Sequence, residues 1–140
     1  MKTIVRMCLA LAVILLPAGC PQDFILSGTV TFPDQPSEAG DCYVYLDNDT
    51  DITNGYAART ILPYTLPVAP IMYTLDTSAV AAGTYYLLGG GDFGAGNMDP
   101  LTPPVWEYKG WYGSGTYSPP AAANVTNLSG AYTIALYGLP

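Results

Sequence analysis

The chain of 140 residues contains no histidine. That excludes a Ser-His-Asp triad, a His-ligated zinc centre and the one side chain that ordinarily titrates near neutral pH. Positive charge is almost as scarce. Lys2, Arg6, Arg59 and Lys109 stand against eleven acidic residues, for a formal net charge of −7. Four scattered cations cannot neutralise a row of phosphates, so no nucleic-acid partner is expected. Charged residues make up 11% of the chain and hydrophobic ones 50%, which is the composition of a folded domain and not of a disordered acidic tail. The length allows one domain. Cys8, Cys20 and Cys42 are too few for a disulfide framework. The unbroken apolar run Met7–Leu16 has about half the ~20 residues that a spanning helix needs.

That run does fit another purpose. Lys2 and Arg6 precede it and small residues follow it, as in the positive n-region and apolar h-region of a signal peptide. The stretch Leu16-Pro17-Ala18-Gly19-Cys20 resembles the lipobox of bacterial lipoproteins, with Pro17 where leucine is usual. The resemblance implies a signal peptide over residues 1–19, cleavage before Cys20, lipid on Cys20, and a short tether through residue 23. It places the chain in the bacterial cell envelope, with the membrane as partner through that lipid. Cleavage would remove Lys2 and Arg6 and move the formal net charge from −7 to −9. Such a charge opposes docking on anionic lipid, so the acyl chains would carry the attachment. Cys8 would leave with the signal, and a lipidated Cys20 leaves Cys42 as the one thiol. Without lipidation, a Cys20–Cys42 bridge becomes available.

From residue 24 onward, no segment keeps a 3.6-residue period. Short runs of Val, Thr, Tyr and Ile alternate with Gly, Pro, Asn and Asp, which predicts an all-β sandwich or barrel. Strands are expected at Phe24–Phe32, Cys42–Asp47, Thr60–Tyr64, Ile71–Asp76, Thr84–Gly89, Val105–Tyr112 and Tyr132–Tyr137, with a short one near Val125–Leu128. Alternation puts Leu26, Gly28, Val30 and Phe32 inward on the first strand. On the second it puts Cys42, Val44 and Leu46 inward and Tyr43 and Tyr45 outward. Pro63 marks an edge strand. Thr84–Gly89 is apolar on both faces and reads as central. Long loops are expected from Gly89 to Pro104, opening on three consecutive glycines, and from Gly113 to Asn124.

The strings Ser27-Gly28-Thr29-Val30-Thr31-Phe32 and Cys42-Tyr43-Val44-Tyr45-Leu46-Asp47 resemble the opening strands of transthyretin-like domains, also called prealbumin-like or carboxypeptidase regulatory-like. Tyr73-Thr74-Leu75-Asp76, the turn Val80-Ala81-Ala82-Gly83 into Thr84-Tyr85-Tyr86-Leu87, and the closing Tyr132-Thr133-Ile134-Ala135-Leu136 extend the resemblance. It implies a seven-stranded Greek-key sandwich over residues 24–140. Members of that family serve mostly as non-catalytic accessory, adhesive, ligand-binding or stalk modules.

Three groups of residues carry potential chemistry. Asp47, Asp49 and Asp51 alternate in a loop as calcium ligands do, but Ile52 and Ala58 occupy the positions where an EF-hand requires glycine and glutamate. The same residues also suit an ordinary turn after a strand. Asp92, Asn97 and Asp99 resemble a reduced Asp-x-Asn-x-Asn-Gly-x-x-Asp loop of some prealbumin-like bacterial domains, and would be a second calcium site or a solvated Gly-rich connection. The third group is Trp106, Tyr108, Trp111 and Tyr112, aromatics able to stack on a polysaccharide or grip a protein, or else to pack as core. Alternation puts Trp106, Tyr108 and Tyr112 on one face and Trp111 on the other. No constellation for catalysis emerges, since no serine has a histidine to activate it and Lys109 is the one lysine after the signal. The expected function is a lipid-anchored, non-catalytic binding or interaction module of the envelope, with calcium as its one candidate cofactor. A structural subunit of an envelope assembly, or a small carboxylate-dependent hydrolase, are the alternatives.

Overall fold

Period-2 patterning shapes the first strand. In β1, Ile25–Thr31, Leu26 and Val30 are fully buried while Ser27 and Thr29 keep partial exposure. The computed structural model describes residues 24–51, 54–66, 70–94, 107–116 and 124–140. The further strands are β2 (Gly40–Asp47), β3 (Ala58–Tyr64), β4 (Ile71–Asp76), β5 (Tyr86–Phe93), β6 (Tyr108–Trp111), β7 (Ala131–Ala135) and β8 (Tyr137–Gly138). They make two sheets, ordered β4-β1-β7 and β3-β2-β5-β6-β8. Every pairing between named strands is antiparallel except β1 with β7, which run parallel with Ser27 opposite Ala131. The architecture is an all-β sandwich.

The core lies between the sheets. Leu26, Val30, Tyr73, Leu75 and Ile134 from the smaller sheet meet Cys42, Val44, Leu46, Leu87 and Phe93 from the larger. Phe32, Tyr64 and Phe93 close one end edge to face, with Phe32 and Phe93 each 4.9 Å from the Tyr64 ring. Cys42 is free and fully buried, and burial pushes its thiol up to about 12. It packs as a small hydrophobe. Pro63 sits in β3, which pairs only with β2 and forms the sheet edge.

Three features depart from expectation. First, the strand expected at Thr84–Gly89 continues to Phe93, so the glycines at 89, 90 and 91 lie inside β5 and do not open a loop. Long-range packing demands them there. A Cβ on Gly89 would stand 2.6 Å from Leu136 Cδ2, and one on Gly91 would overlap the Phe93 ring. Second, the closing run breaks at Leu136. The Leu136 N–H donates to the Thr31 carbonyl at 2.8 Å, while Tyr137 and Gly138 cross to pair with β6. One expected strand thereby becomes two in different sheets, and the described residues hold eight strands where the transthyretin-like resemblance implies seven. Third, Tyr43 and Tyr45 do point away from the core but are not solvated. They are 3% and 2% exposed, in a second cluster with Leu88 and Trp111.

Candidate functional site

β2 delivers Asp47 to one end of the larger sheet. Its Oδ1 accepts the Asn48 N–H at 2.7 Å. Its Oδ2 is buried and has no hydrogen-bond partner. Burial raises the Asp47 carboxyl above the usual range. The Asn48 and Asp49 N–H groups oppose that rise, while the Asp49 and Asp51 charges add to it. The chain then turns through Asp49, whose Oδ1 accepts the Asp51 N–H at 2.7 Å and whose Oδ2 accepts from Asn54 Nδ2 at 2.9 Å. Gly55 takes φ +134°, a region that favours glycine, and the Ala57 N–H then donates to the Leu46 carbonyl at 2.7 Å to start β3. An open groove of about 530 Å³ results, lined by Asp47, Asn48, Asp49, Asn54, Tyr56 and Tyr85 among others. The Asp51 charge also reaches Lys109. Burial lowers the Lys109 ammonium, and the Asp51 carboxylate offsets part of that.

Asp92 belongs to the opposite end of the same sheet. It faces Asp41 across the β2–β5 ladder, whereas Asp47 faces Tyr86. Six rungs separate the two carboxylates, on the order of 20 Å along the strand. Burial, then the Glu107 and Asp41 charges, raise the Asp92 carboxyl. Asn97 and Asp99 lie outside the described residues. Among the described residues, no three His, Cys, Asp or Glu side chains gather as a metal-binding group. Asp47 and Asp49 line one groove, and Asp51 is not among the residues that line it.

Tyr108, Trp111 and Tyr112 follow the predicted alternation but are packed. Tyr108 faces the core with its ring 5.0 Å from Phe93, and Tyr112 lies 4.9 Å from Tyr132. Trp111 points the other way and is 1% exposed, 6.5 Å from Tyr86. Lys109 stands 5.6 Å over the Trp111 ring and Arg59 5.1 Å over Tyr56, so both basic side chains among the described residues lie on aromatic faces. Trp106 and Cys20 lie outside the described residues.

Alternation puts Ser27, Thr29 and Thr31 outward on a solvated face, as found, but sequence reasoning assigned the outer face of the smaller sheet no role. Register aligns Met72, Thr29 and Thr133 in one row, and Thr74, Ser27 and Ala131 in the next. Ile25 and Asp76 pair beside them, and Asp76 is the one charge in these rows. Met72 is 75% exposed, the highest value among the exposed large hydrophobics of the described residues. The Ser-Thr-Thr alternation at 27, 29 and 31 was the available signal, but it reads locally as ordinary solvated strand.

No family model and no curated protein matches the chain. Among solved structures, an alternative pilotin from the type II secretion system of Vibrio cholerae is similar. The match has a TM-score of 0.52 at 13% identity and covers 83% of this chain and 96% of that one. The two chains share a fold. At that identity the likeness extends to the fold alone and carries no site residue across.

Proposed function

We propose that this chain is a lipid-anchored envelope protein whose sandwich binds a protein component of a secretion assembly, in the manner of a pilotin. The observation that carries this reading is the fold match to a pilotin over nearly the whole of that chain. The apolar run ending at Cys20 supports anchorage through lipid. The absence of histidine, with Lys109 as the one lysine beyond the signal, supports a binding role without catalysis. β1, β2 and β4 fall on the quoted transthyretin-like strings, which supports that finer reading of the sandwich. The surface offered to the partner is the outer face of β4-β1-β7, nearly uncharged and centred on Met72, Thr29 and Thr133.

The test expresses the full chain in a bacterial host fed labelled palmitate, followed by membrane fractionation and cross-linking. The wild type carries label, sediments with membranes and cross-links to an envelope protein of the secretion apparatus. Cys20→Ala loses label and moves to the soluble fraction. Met72→Arg with Thr133→Arg keeps the anchor and loses the cross-link. A wild-type chain that stays soluble and unlabelled contradicts the anchor, and a cross-link that survives both arginines contradicts the face.

A further inference from the structure

A buried carboxylate oxygen without a partner is costly, and natural structures rarely leave one unexplained. Asp47 Oδ2 is such an atom: the residue is 3% exposed, and only Oδ1 has a hydrogen bond. The nearby charges that act on the carboxylate, Asp49 and Asp51, have its own sign. Asp47 nonetheless lines the open groove at the end of β2. The polar side chains beside it there, Asn48, Asp49 and Asn54, all carry oxygen donors.

We propose that this groove binds a calcium ion, with the carboxylates of Asp47 and Asp49 as its charged ligands and the side-chain amides of Asn48 and Asn54 as its neutral ones. The donor set is wholly oxygen, which suits a hard cation and not a transition metal. The groove is wide and its wall is a turn. That favours the flexible six-to-eight-fold coordination of calcium over the tight octahedron of magnesium, with water filling the remaining positions. Asn54 now donates through Nδ2 to Asp49 Oδ2 at 2.9 Å. Half a turn of its amide would present Oδ1 to an ion held by Asp49. Asp51 stays outside the set because it does not line the groove. Two carboxylates on an open turn place the affinity in the range of extracellular calcium modules, about 10⁻⁴ to 10⁻³ M.

The test is thermal melting of the detergent-solubilised full chain in EDTA, in 10 mM calcium and in 10 mM magnesium. Calcium raises the wild-type melting temperature by about 5 °C, and magnesium raises it much less. Asp47→Asn keeps the side-chain volume and removes the unpaired charge, so it melts no lower than wild type in EDTA and loses the calcium response. Asp49→Asn, in the partly exposed turn, folds and loses most of that response. Asp92→Asn, at the far end of the sheet, retains it. No calcium shift in the wild type, an equal shift with magnesium, or an undiminished shift in both Asp47→Asn and Asp49→Asn would overturn the proposal.

Discussion

At the scale of single residues, what is missing can matter as much as what is present. Gly28 lies at the centre of β1, in register with Tyr73 of β4 and Tyr132 of β7. The Tyr73 hydroxyl donates to the Tyr132 carbonyl at 2.9 Å and so links the two outer strands across β1. A Cβ on Gly28 would overlap that carbonyl oxygen and stand 2.7 Å from the Tyr73 Oη. The bond therefore runs through the space a side chain would take. Two substitutions separate the contributions. Tyr73→Phe removes one hydrogen bond and is expected to cost about 1 kcal/mol. Gly28→Ala displaces both the hydroxyl and the backbone of β7, and is expected to cost about 3 kcal/mol. Urea denaturation of both variants checks the order, and a Gly28→Ala chain as stable as Tyr73→Phe would contradict this account.

At the scale of elements, legibility depended on whether the determining contact was local. β1, β2 and β4 were readable because alternation is a local property, and Ile71–Asp76 matches its expected bounds. β5 was not. Three successive glycines favour a loop by every local rule, yet Leu136 and the ring of Phe93 demand the space. The break at Leu136 was equally hidden, because Tyr132–Tyr137 is continuous in pattern and only the Thr31 and β6 partners divide it. The two acidic groups could be named from sequence, but their separation by six rungs follows only from register. Register also sets a strain within the β2–β5 ladder. Asp41 and Asp92 are directly opposite, with Glu107 acting on Asp92 as well. Like charges so placed destabilise a sheet by a few tenths to about 1 kcal/mol. Asp92→Asn is therefore expected to raise the urea midpoint at pH 7. The pH dependence has a definite sign. The folded carboxyl titrates above its unfolded value of 3.8, so protonation favours the fold, and the local contribution improves as pH falls from neutral toward the carboxylate range. Asp92→Asn should lose that improvement, and a variant with the wild-type midpoint at pH 7 and at pH 4.5 would contradict the pairing.

At the scale of the whole molecule, the larger sheet buries large side chains on both of its faces. One meets the smaller sheet, and the other holds Tyr43, Tyr45, Leu88 and Trp111. The sequence showed both sets of residues on alternate positions, but alternation reports which face a side chain takes and not whether that face meets water. The consequence is a chain whose buried acids are mainly phenols and a thiol. Burial raises Cys42 from 9.0 to about 12 and lifts Tyr43, Tyr45, Tyr64, Tyr73 and Tyr108 above 10.0, with burial the largest cause in each. All six groups are neutral when protonated, and all hold their protons more tightly folded than unfolded. Their contribution is then fully present below the unfolded values and is lost as pH rises through the raised ones. The urea midpoint of the full chain is expected to stay level with respect to these groups up to about pH 8.5, where unfolded thiols begin to ionise, and to fall steeply beyond it. Cys42→Ala delays the start of that fall, because the thiol is the first of the six to ionise in the unfolded chain, and leaves the later tyrosine phase in place. A midpoint that holds level to pH 10.5 would mean that these rings and the thiol are wetter than the sandwich requires, and the second face of the larger sheet would be the first place where the packing is wrong.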